Sequence, residues 1–372
     1  MNTTYQTPSD LRRALTLRDL SNPEQGPHAM QILLGQVVAA LTTAWACTTT
    51  TVRNPPLVAV RDNYDRLGFN ACDITRDARY TRYTSPSTML RSHTSADIPH
   101  TLEEYRTCPG PVDELIVIPG LVYRRDVVDR THVGEPHQVD LWRLRSTPET
   151  TDTDLDQLVA LLVEAVLPRA RYRAISSAHA YTEGGRQIDV WHDGEWMEIG
   201  ECGRIHPGVL TGAGLDPSQW SGLALGMGLD RALMLRKGIP DIRYLRAAEP
   251  RIAAQMQDLQ PWRPVSMLPA ITRDISVVVD ADTDDDNIGD TVRSALCDRV
   301  EDIESITVLS RTGYDELPGP AQQRLGITPG QVNCLVRLTM RPLARTLTDA
   351  EANAIRNDVY LALHKGPVLE LA

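Results

Sequence analysis

The stretch Gly222-Leu223-Ala224-Leu225-Gly226-Met227-Gly228-Leu229-Asp230-Arg231, running on through Ala232–Leu235 to Ile239-Pro240-Asp241-Ile242-Arg243, decides the reading of this 372-residue chain. Glycines at 222, 226 and 228 let a backbone come close to a bound ligand, because no Cβ stands in the way. An apolar-spaced helix opens directly after them, with Arg231 near its start. A helix N-terminus favours anions, and a guanidinium there adds a permanently charged clamp for phosphate oxygens. Alone, the run reads equally as a tight strand-to-helix turn with a surface arginine. The segments that accompany it decide between the two.

The length fits roughly two domains, and 42% hydrophobic with 23% charged residues reads as soluble and globular. No apolar stretch is long enough to span a bilayer, and Met1–Arg13 has no apolar signal-peptide core. Cys47, Cys72, Cys108, Cys202, Cys297 and Cys334 lie far apart with no Cys-x-x-Cys pair, which suits reduced thiols in a cytoplasmic protein. A net charge of −11 argues against non-specific binding to polyanions.

Apolar spacing predicts helices over about His28–Trp45 and Asp154–Leu167. Strands are expected at Cys47–Val52, Leu115–Ile118, Leu121–Arg125, His137–Arg145, Arg171–Ile175, Gln187–Trp191 and Glu195–Ile199. Strands in runs with helices apart give an α+β domain on an antiparallel sheet flanked by helices. A boundary falls near Gln260–Pro264. Beyond it the order is strand Ile271–Val279, helix Asn287–Cys297, strands Ser305–Ser310 and Val332–Met340, helix Thr348–Leu363 and strand Val368–Leu371, the ferredoxin-like β-α-β-β-α-β unit. The expected domains are therefore 1–260 and 263–372.

Three further segments carry chemistry. Val122–Asp126 is followed by Asp129-Arg130-Thr131-His132 and Pro136-His137-Gln138-Val139-Asp140. On a strand, Arg124 and Asp126 would share a face, and so would Gln138 and Asp140. An arginine there can hold a phosphate while a carboxylate accepts from an amine; the alternative is a solvated hairpin face. Met89-Leu90-Arg91-Ser92-His93-Thr94-Ser95 lacks the Gly-x-Ser-x-Gly context of a hydrolase. In Glu195–Pro207, Trp196 and Glu198 are expected on one strand face and Glu201 on the other. A carboxylate in a phosphate site is a natural Mg²⁺ ligand, and a surface acid is the alternative.

Together these segments resemble phenylalanyl-tRNA synthetase, a class II aminoacyl-tRNA synthetase. Leu90–Ser95 is similar to its Leu-Arg-Thr-His-Thr-Ser element, Arg124–Asp140 to its Arg-x-Asp/Glu…Asp-x-Thr-His…Phe-His-Gln-x-Glu-Gly run, Trp196–Pro207 to its Trp-x-Glu strand, and Gly222–Arg231 to its Gly-x-Ala-Phe-Gly-x-Gly-x-Glu-Arg motif. Pro27–Ala29 with the following helix, strand and Pro55 looks like a degraded dimer-forming motif 1. Residues 263–372 resemble the family's ferredoxin-like anticodon-binding domain, in the layout of the single-chain organellar form. The resemblance implies ATP-dependent formation of an aminoacyl-adenylate with Mg²⁺, then transfer to tRNA, by a monomer or homodimer that needs no membrane. It assigns catalysis to Arg124 and Arg231, and ATP binding to these two with Asp126, His132, Pro136 and the metal ligand Glu198. His93, Ser95, Gln138, Asp140, His179, Tyr181 and Ala224 would bind the amino acid.

Departures gather in the amino-acid pocket. His179-Ala180-Tyr181 stands where the family has a Phe-Pro-Phe turn, Pro136 and Leu225 replace phenylalanines, Asp140 and Asp230 shorten glutamates, and Glu201 replaces a glycine. An imidazole and a phenol add hydrogen-bonding capacity, and sites built to hydrogen-bond discriminate for polar substrates. The substrate is therefore phenylalanine or a related, more polar amino acid. A synthetase relative serving a biosynthetic pathway is the second reading. Arg263–Ala372 holds 11 Lys/Arg against 17 Asp/Glu, a net of −6, with Arg337, Arg341 and Arg345 as the candidate basic stripe for tRNA.

Overall fold

The computed structural model describes residues 5–147, 149–265 and 268–367, which divide into two compact units. The first comprises Met1–Arg124, Glu135–Ile239 and Gln255–Trp262; the second comprises Arg125–Gly134, Pro240–Ala254 and Arg263–Ala372.

The first unit is built on seven strands: β1 (Thr48–Thr51), β4 (Asp113–Leu121), β5 (His137–Arg145), β6 (Tyr172–Ser176), β7 (Thr182–His192), β8 (Glu195–Ile205) and β9 (Ser221–Gly228), in the order β1-β4-β5-β9-β8-β7-β6. β1 runs parallel to β4 and every other pairing is antiparallel. A separate two-stranded ladder joins β2 (Leu57–Ala59) to β3 (Thr88–Leu90). β4 runs unbroken through Pro119, because β1 pairs with it only as far as Val117 and no ladder bond is needed on that side.

Directly paired residues share a face of the sheet. Gln138 pairs with Gly228, Asp140 with Gly226 and Trp142 with Ala224, and Gly226 pairs in turn with Glu201. These residues therefore line one face. The opposite face, with Val139, Leu141, Leu225 and Cys202, packs under the helices Ala29–Trp45, Asp152–Val166 and Leu229–Lys237. Met30, Leu33, Leu34, Val37 and Leu41 are buried at helical spacing in the first of these, and the His28 imidazole caps it by accepting from Met30 N–H at 3.1 Å. The second opens on a capping box, Thr151 with Asp154, and buries Leu155, Leu158, Val159, Leu162, Val163 and Val166. Each such side chain contributes about 1.5–3 kcal/mol of burial, so the helix layer holds the sheet and leaves its other face for ligands.

The second unit carries an antiparallel sheet, β10 (Ile271–Asp280), β12 (Gln331–Met340) and β11 (Ile303–Gly313) in that order, with the helices Asp285–Leu296 and Asp349–Leu363 packed together. Val277, Val279, Ile288, Val292, Val336, Leu338, Ile355 and Val359 form its core, and Val128 from the 125–134 segment joins them. Residues 368–371, expected as a last strand, lie outside the described residues. The candidate basic stripe is neutralised: both Arg337 bonds go to Asp274 at 2.8 Å, Arg341 Nε lies 2.8 Å from Glu304, and Arg345 reaches Glu351 at 2.8 Å and Asp302 at 3.1 Å.

Candidate active site

Arg231 stands in the first turn of the helix that follows β9. Its neighbour Asp230 ties that turn to the start of β5: the carboxylate accepts from the His137 backbone N–H and lies 3.1 Å from His137 Nδ1. His137 Nε2 accepts from Leu20 N–H at 3.0 Å, so Nδ1 carries the proton that is donated to Asp230. Both side chains are buried. With the turn fixed, Arg231 Nη1 donates to the Glu198 carbonyl at 3.1 Å.

Regular alternation would send Glu201 to the face opposite Glu198. A β-bulge overturns that expectation. Gly200 pairs with Ile188 and Glu198 with Asp189, so Ile199 is the extra residue and both carboxylates emerge on the open face. Burial, then the nearby Glu201, pushes the Glu198 pKa up, against the pull of Arg231 and Arg124. Glu198, Glu201, Arg231 and Arg124 thus share one electrostatic neighbourhood.

Arg124 arrives by a different route from the strand expected at Leu121–Arg125. β4 ends at Leu121, and Arg124 forms an isolated bridge with Thr81 while its Nε donates to the Ser92 carbonyl at 2.7 Å. Asp126 does not share a strand face with it. Asp126 belongs to the second unit, where Oδ1 accepts from Val127 N–H at 2.8 Å. His132 lies in that unit too, its Nδ1 2.9 Å from Asp129. Pro136 is in the first unit, and its carbonyl accepts from Val122 N–H at 2.9 Å.

Asp140 is 1% exposed. Thr94 Oγ1 donates to it at 2.6 Å, Ser95 Oγ at 2.8 Å and Trp142 Nε1 at 2.9 Å. Burial raises its pKa, and the three donors work the other way. Arg91 fixes the segment that delivers Thr94 and Ser95, pairing with Asp97 at 2.6 Å and donating to the Leu121 carbonyl at 2.9 Å. A Cβ at Gly120 would sit 2.2 Å from the Arg91 guanidinium, so this position requires glycine.

Beside Asp140 lies an aromatic cluster: His93 stacks on Phe69 at 5.6 Å, Phe69 approaches Tyr181 at 6.3 Å, and Tyr181 stacks on Trp142 at 5.9 Å and His179 at 6.1 Å. His93 is pushed down to about 3 by burial and then by the Arg124 guanidinium, so the ring is neutral at physiological pH. His179 Nε2 lies 3.1 Å from Glu201 Oε1 without hydrogen-bond geometry. The His179 loop sits close because Gly185 carries no Cβ, which would meet the Ser177 carbonyl at 2.2 Å. Ala224 is fully buried under this cluster.

The first unit therefore brings together His93, Ser95, Asp140, His179, Tyr181 and Ala224 at one end and Arg124, Glu198 and Arg231 at the other, with Gln138 on the same face. Trp142 is the functional candidate that motif reading passes over. Its signal was present, since an aromatic two residues beyond Asp140 shares the face of Gln138 and Asp140.

A mostly antiparallel sheet with one helix-covered face, arginines and a carboxylate on the other, is the architecture of a nucleotide-using class II synthetase core. Residues 37–256 match the tRNA synthetases class II core domain (F), and residues 266–367 match the ferredoxin-fold anticodon binding domain; the chain belongs to the class II tRNA synthetase core family. It is 39% identical over 197 residues to the phenylalanine--tRNA ligase alpha subunit of Prochlorococcus marinus (strain MIT 9313), covering 51% of this chain and 56% of that one. It is 32% identical over 257 residues to the alpha subunit of Mycobacterium avium (strain 104), covering 64% and 70%. Similarity to the probable mitochondrial phenylalanine--tRNA ligase of Drosophila melanogaster is 26% over 365 residues, covering 82% and 75%. The chain spans under two thirds of the length of several of these relatives, 56% and 60% for two alpha subunits.

Proposed function

We propose that the open face of the first unit activates an amino acid with ATP and that the acyl group then passes to tRNA. The observation that carries this reading is that Arg124 and Arg231 both act on Glu198, which lies on the open sheet face near Gly226. The amino-acid carboxylate attacks the α-phosphorus, the bond to the bridging oxygen breaks, and pyrophosphate leaves. A ribose hydroxyl of the tRNA terminus then attacks the acyl carbon and releases AMP. Arg124 neutralises charge at the α-phosphate and Arg231 holds the γ-phosphate in line, so rate comes from positioning and electrostatics. Pro136 is assigned to the adenylate side; His93, Ser95, Gln138, Asp140, His179, Tyr181 and Ala224 are assigned to the amino acid.

Glu198 fits Mg²⁺: a half-buried oxygen donor beside other carboxylates gains by meeting a hard cation. No trio of His, Cys, Asp or Glu side chains among the described residues forms a metal cage. Glu198 would therefore share the ion with phosphate oxygens, where it offsets their charge.

Residues 1–260 take the catalytic role and 263–372 the anticodon-binding role, in a monomer or homodimer. The substrate is phenylalanine or a related, more polar amino acid. No helix among the described residues is long and apolar enough to cross a membrane. All six cysteines are free, which supports a cytoplasmic setting. The test is amino-acid-dependent ATP–pyrophosphate exchange, with Arg124→Ala lowering it roughly 10²–10³-fold. No exchange with any amino acid refutes the reading. The paired arginines of the second unit favour a second reading, in which the activated amino acid serves a biosynthetic pathway; exchange without charging of total tRNA would select it.

A further inference from the structure

The open face has a graded interior. A Cβ built on Gly226 or Gly228 meets nothing within 4 Å, so space stands over these two glycines. Along one side of it run Gln138 and Asp140, and Glu201 lies across from Gly226. One pair further along the strands, about 6.8 Å away at two residues of rise, the space closes. There Trp142 and its partner Ala224 are both fully buried, and Tyr181 stacks on the indole at 5.9 Å. An amino acid with its carboxylate toward Arg124 and its ammonium among the carboxylates must aim its side chain at this wall. The small Ala224 does not leave a hole, because Trp142 fills the room beside it. Trp142 cannot easily swing aside, since its indole N–H is held by the buried Asp140 at 2.9 Å.

The groups facing the remaining space are polar. Tyr181 brings a phenol close to Ser95, whose Oγ donates to Asp140 at 2.8 Å. The His179 side chain is 7% exposed, and its Nε2, 3.1 Å from Glu201, makes no hydrogen bond; His93 Nδ1, in the same aromatic cluster, is also closed off and makes none. Buried polar atoms without partners are costly unless a ligand supplies them. Asp140, Glu198 and Glu201 together repel an acidic side chain and favour one that donates.

We propose that Trp142 is the specificity-determining residue of this site, closing it to phenylalanine and fitting it to an amino acid with a short side chain that ends in a hydroxyl, amide or amine. The inference rests on the adenylation reading of the same face. It assigns a role to the Trp142–Asp140 pair: the carboxylate anchors the wall, and the wall sets the length of the substrate.

The test is ATP–pyrophosphate exchange by the full chain with each of the twenty standard amino acids, together with homoserine and 2,3-diaminopropionate. A short donor-bearing amino acid is expected to exceed phenylalanine by about 100-fold or more in kcat/KM. In Trp142→Leu the phenylalanine-to-polar ratio should rise at least about tenfold. His179→Phe, which leaves the wall standing, should lower exchange with the polar substrate without admitting phenylalanine. Should Trp142→Leu fail to fold, the wild-type ranking and His179→Phe decide. Preference of the wild type for phenylalanine or another ring-bearing amino acid overturns the inference and leaves the adenylation reading intact. Silence with every amino acid overturns both.

Discussion

Replacing Asp230 by alanine tests whether the buried latch between β5 and the Arg231 helix holds the site together. Two bonds are lost at once. The His137 N–H becomes a buried donor without its acceptor, which costs about 1–3 kcal/mol, and the imidazole Nδ1–H loses a charged acceptor worth about 1.5–3 kcal/mol. His137 is fully buried and Asp230 is 3% exposed, so water does not readily replace either bond. The expected destabilisation is therefore about 3–6 kcal/mol, a large part of a typical domain's stability. Asp230→Asn keeps one accepting oxygen for the backbone N–H and should cost about half as much. Urea unfolding followed by tryptophan fluorescence measures both, since Trp142 in the same sheet is fully buried. If Asp230→Ala shifts the unfolding free energy by less than about 1 kcal/mol, the latch is not structural, and the positioning of Arg231 needs another explanation.

Two more outcomes follow from the geometry. In the unfolded chain His93 takes up a proton near pH 6.5, whereas in the fold it stays neutral down to about 3. The unfolded state binds more protons below 6.5, so the stability due to neutral His93 is complete above that value and drains away as pH falls toward 3, at up to about 1.4 kcal/mol per unit. His93→Gln should flatten the pH dependence of the urea midpoint between pH 6.5 and 4.5; an unchanged slope would contradict this environment. Deleting Ile199 removes the bulge but leaves Glu198 directly before Gly200, so regular alternation keeps it opposite Asp189 on the open face with Glu201, and ATP binding measured by calorimetry should be retained. Deleting Ile199 and Gly200 together places Glu198 next to Glu201 and so turns it to the opposite face, and ATP binding should then be lost; equal binding by the single and double deletions would show that the face of Glu198 does not matter to ATP.

Much of this molecule is legible in its sequence because the signals are local. The 3.6-residue spacing of Met30, Leu33, Leu34, Val37 and Leu41 gives a helix, and Thr348 with Glu351 gives the capping box that starts the last one. Period-two alternation places Gln138, Asp140 and Trp142 on one face without any structure. What escaped is non-local. The bulge at Ile199 is a property of the β7–β8 register, so the shared face of Glu198 and Glu201 is invisible to alternation on one strand. The capture of Asp126 and His132 by the second unit depends on contacts such as the Arg293 bonds to the Asp126 and Val127 carbonyls, far away in sequence. Likewise, the charge balance of residues 263–372 does not reveal that Arg337 and Asp274 neutralise each other across β10 and β12. Trp142 was readable in position but not in consequence, because its meaning depends on Asp140 beside it on the strand and Tyr181 stacked on it.

The most direct measurement is a crystal structure of the full chain with a non-hydrolysable ATP analogue and Mg²⁺. The account predicts the α-phosphate against Arg124, the γ-phosphate against Arg231, and the ion on Glu198, with the space over Gly226 left for the amino acid. A nucleotide whose phosphates avoid both arginines, or one that occupies the space over Gly226, would contradict it.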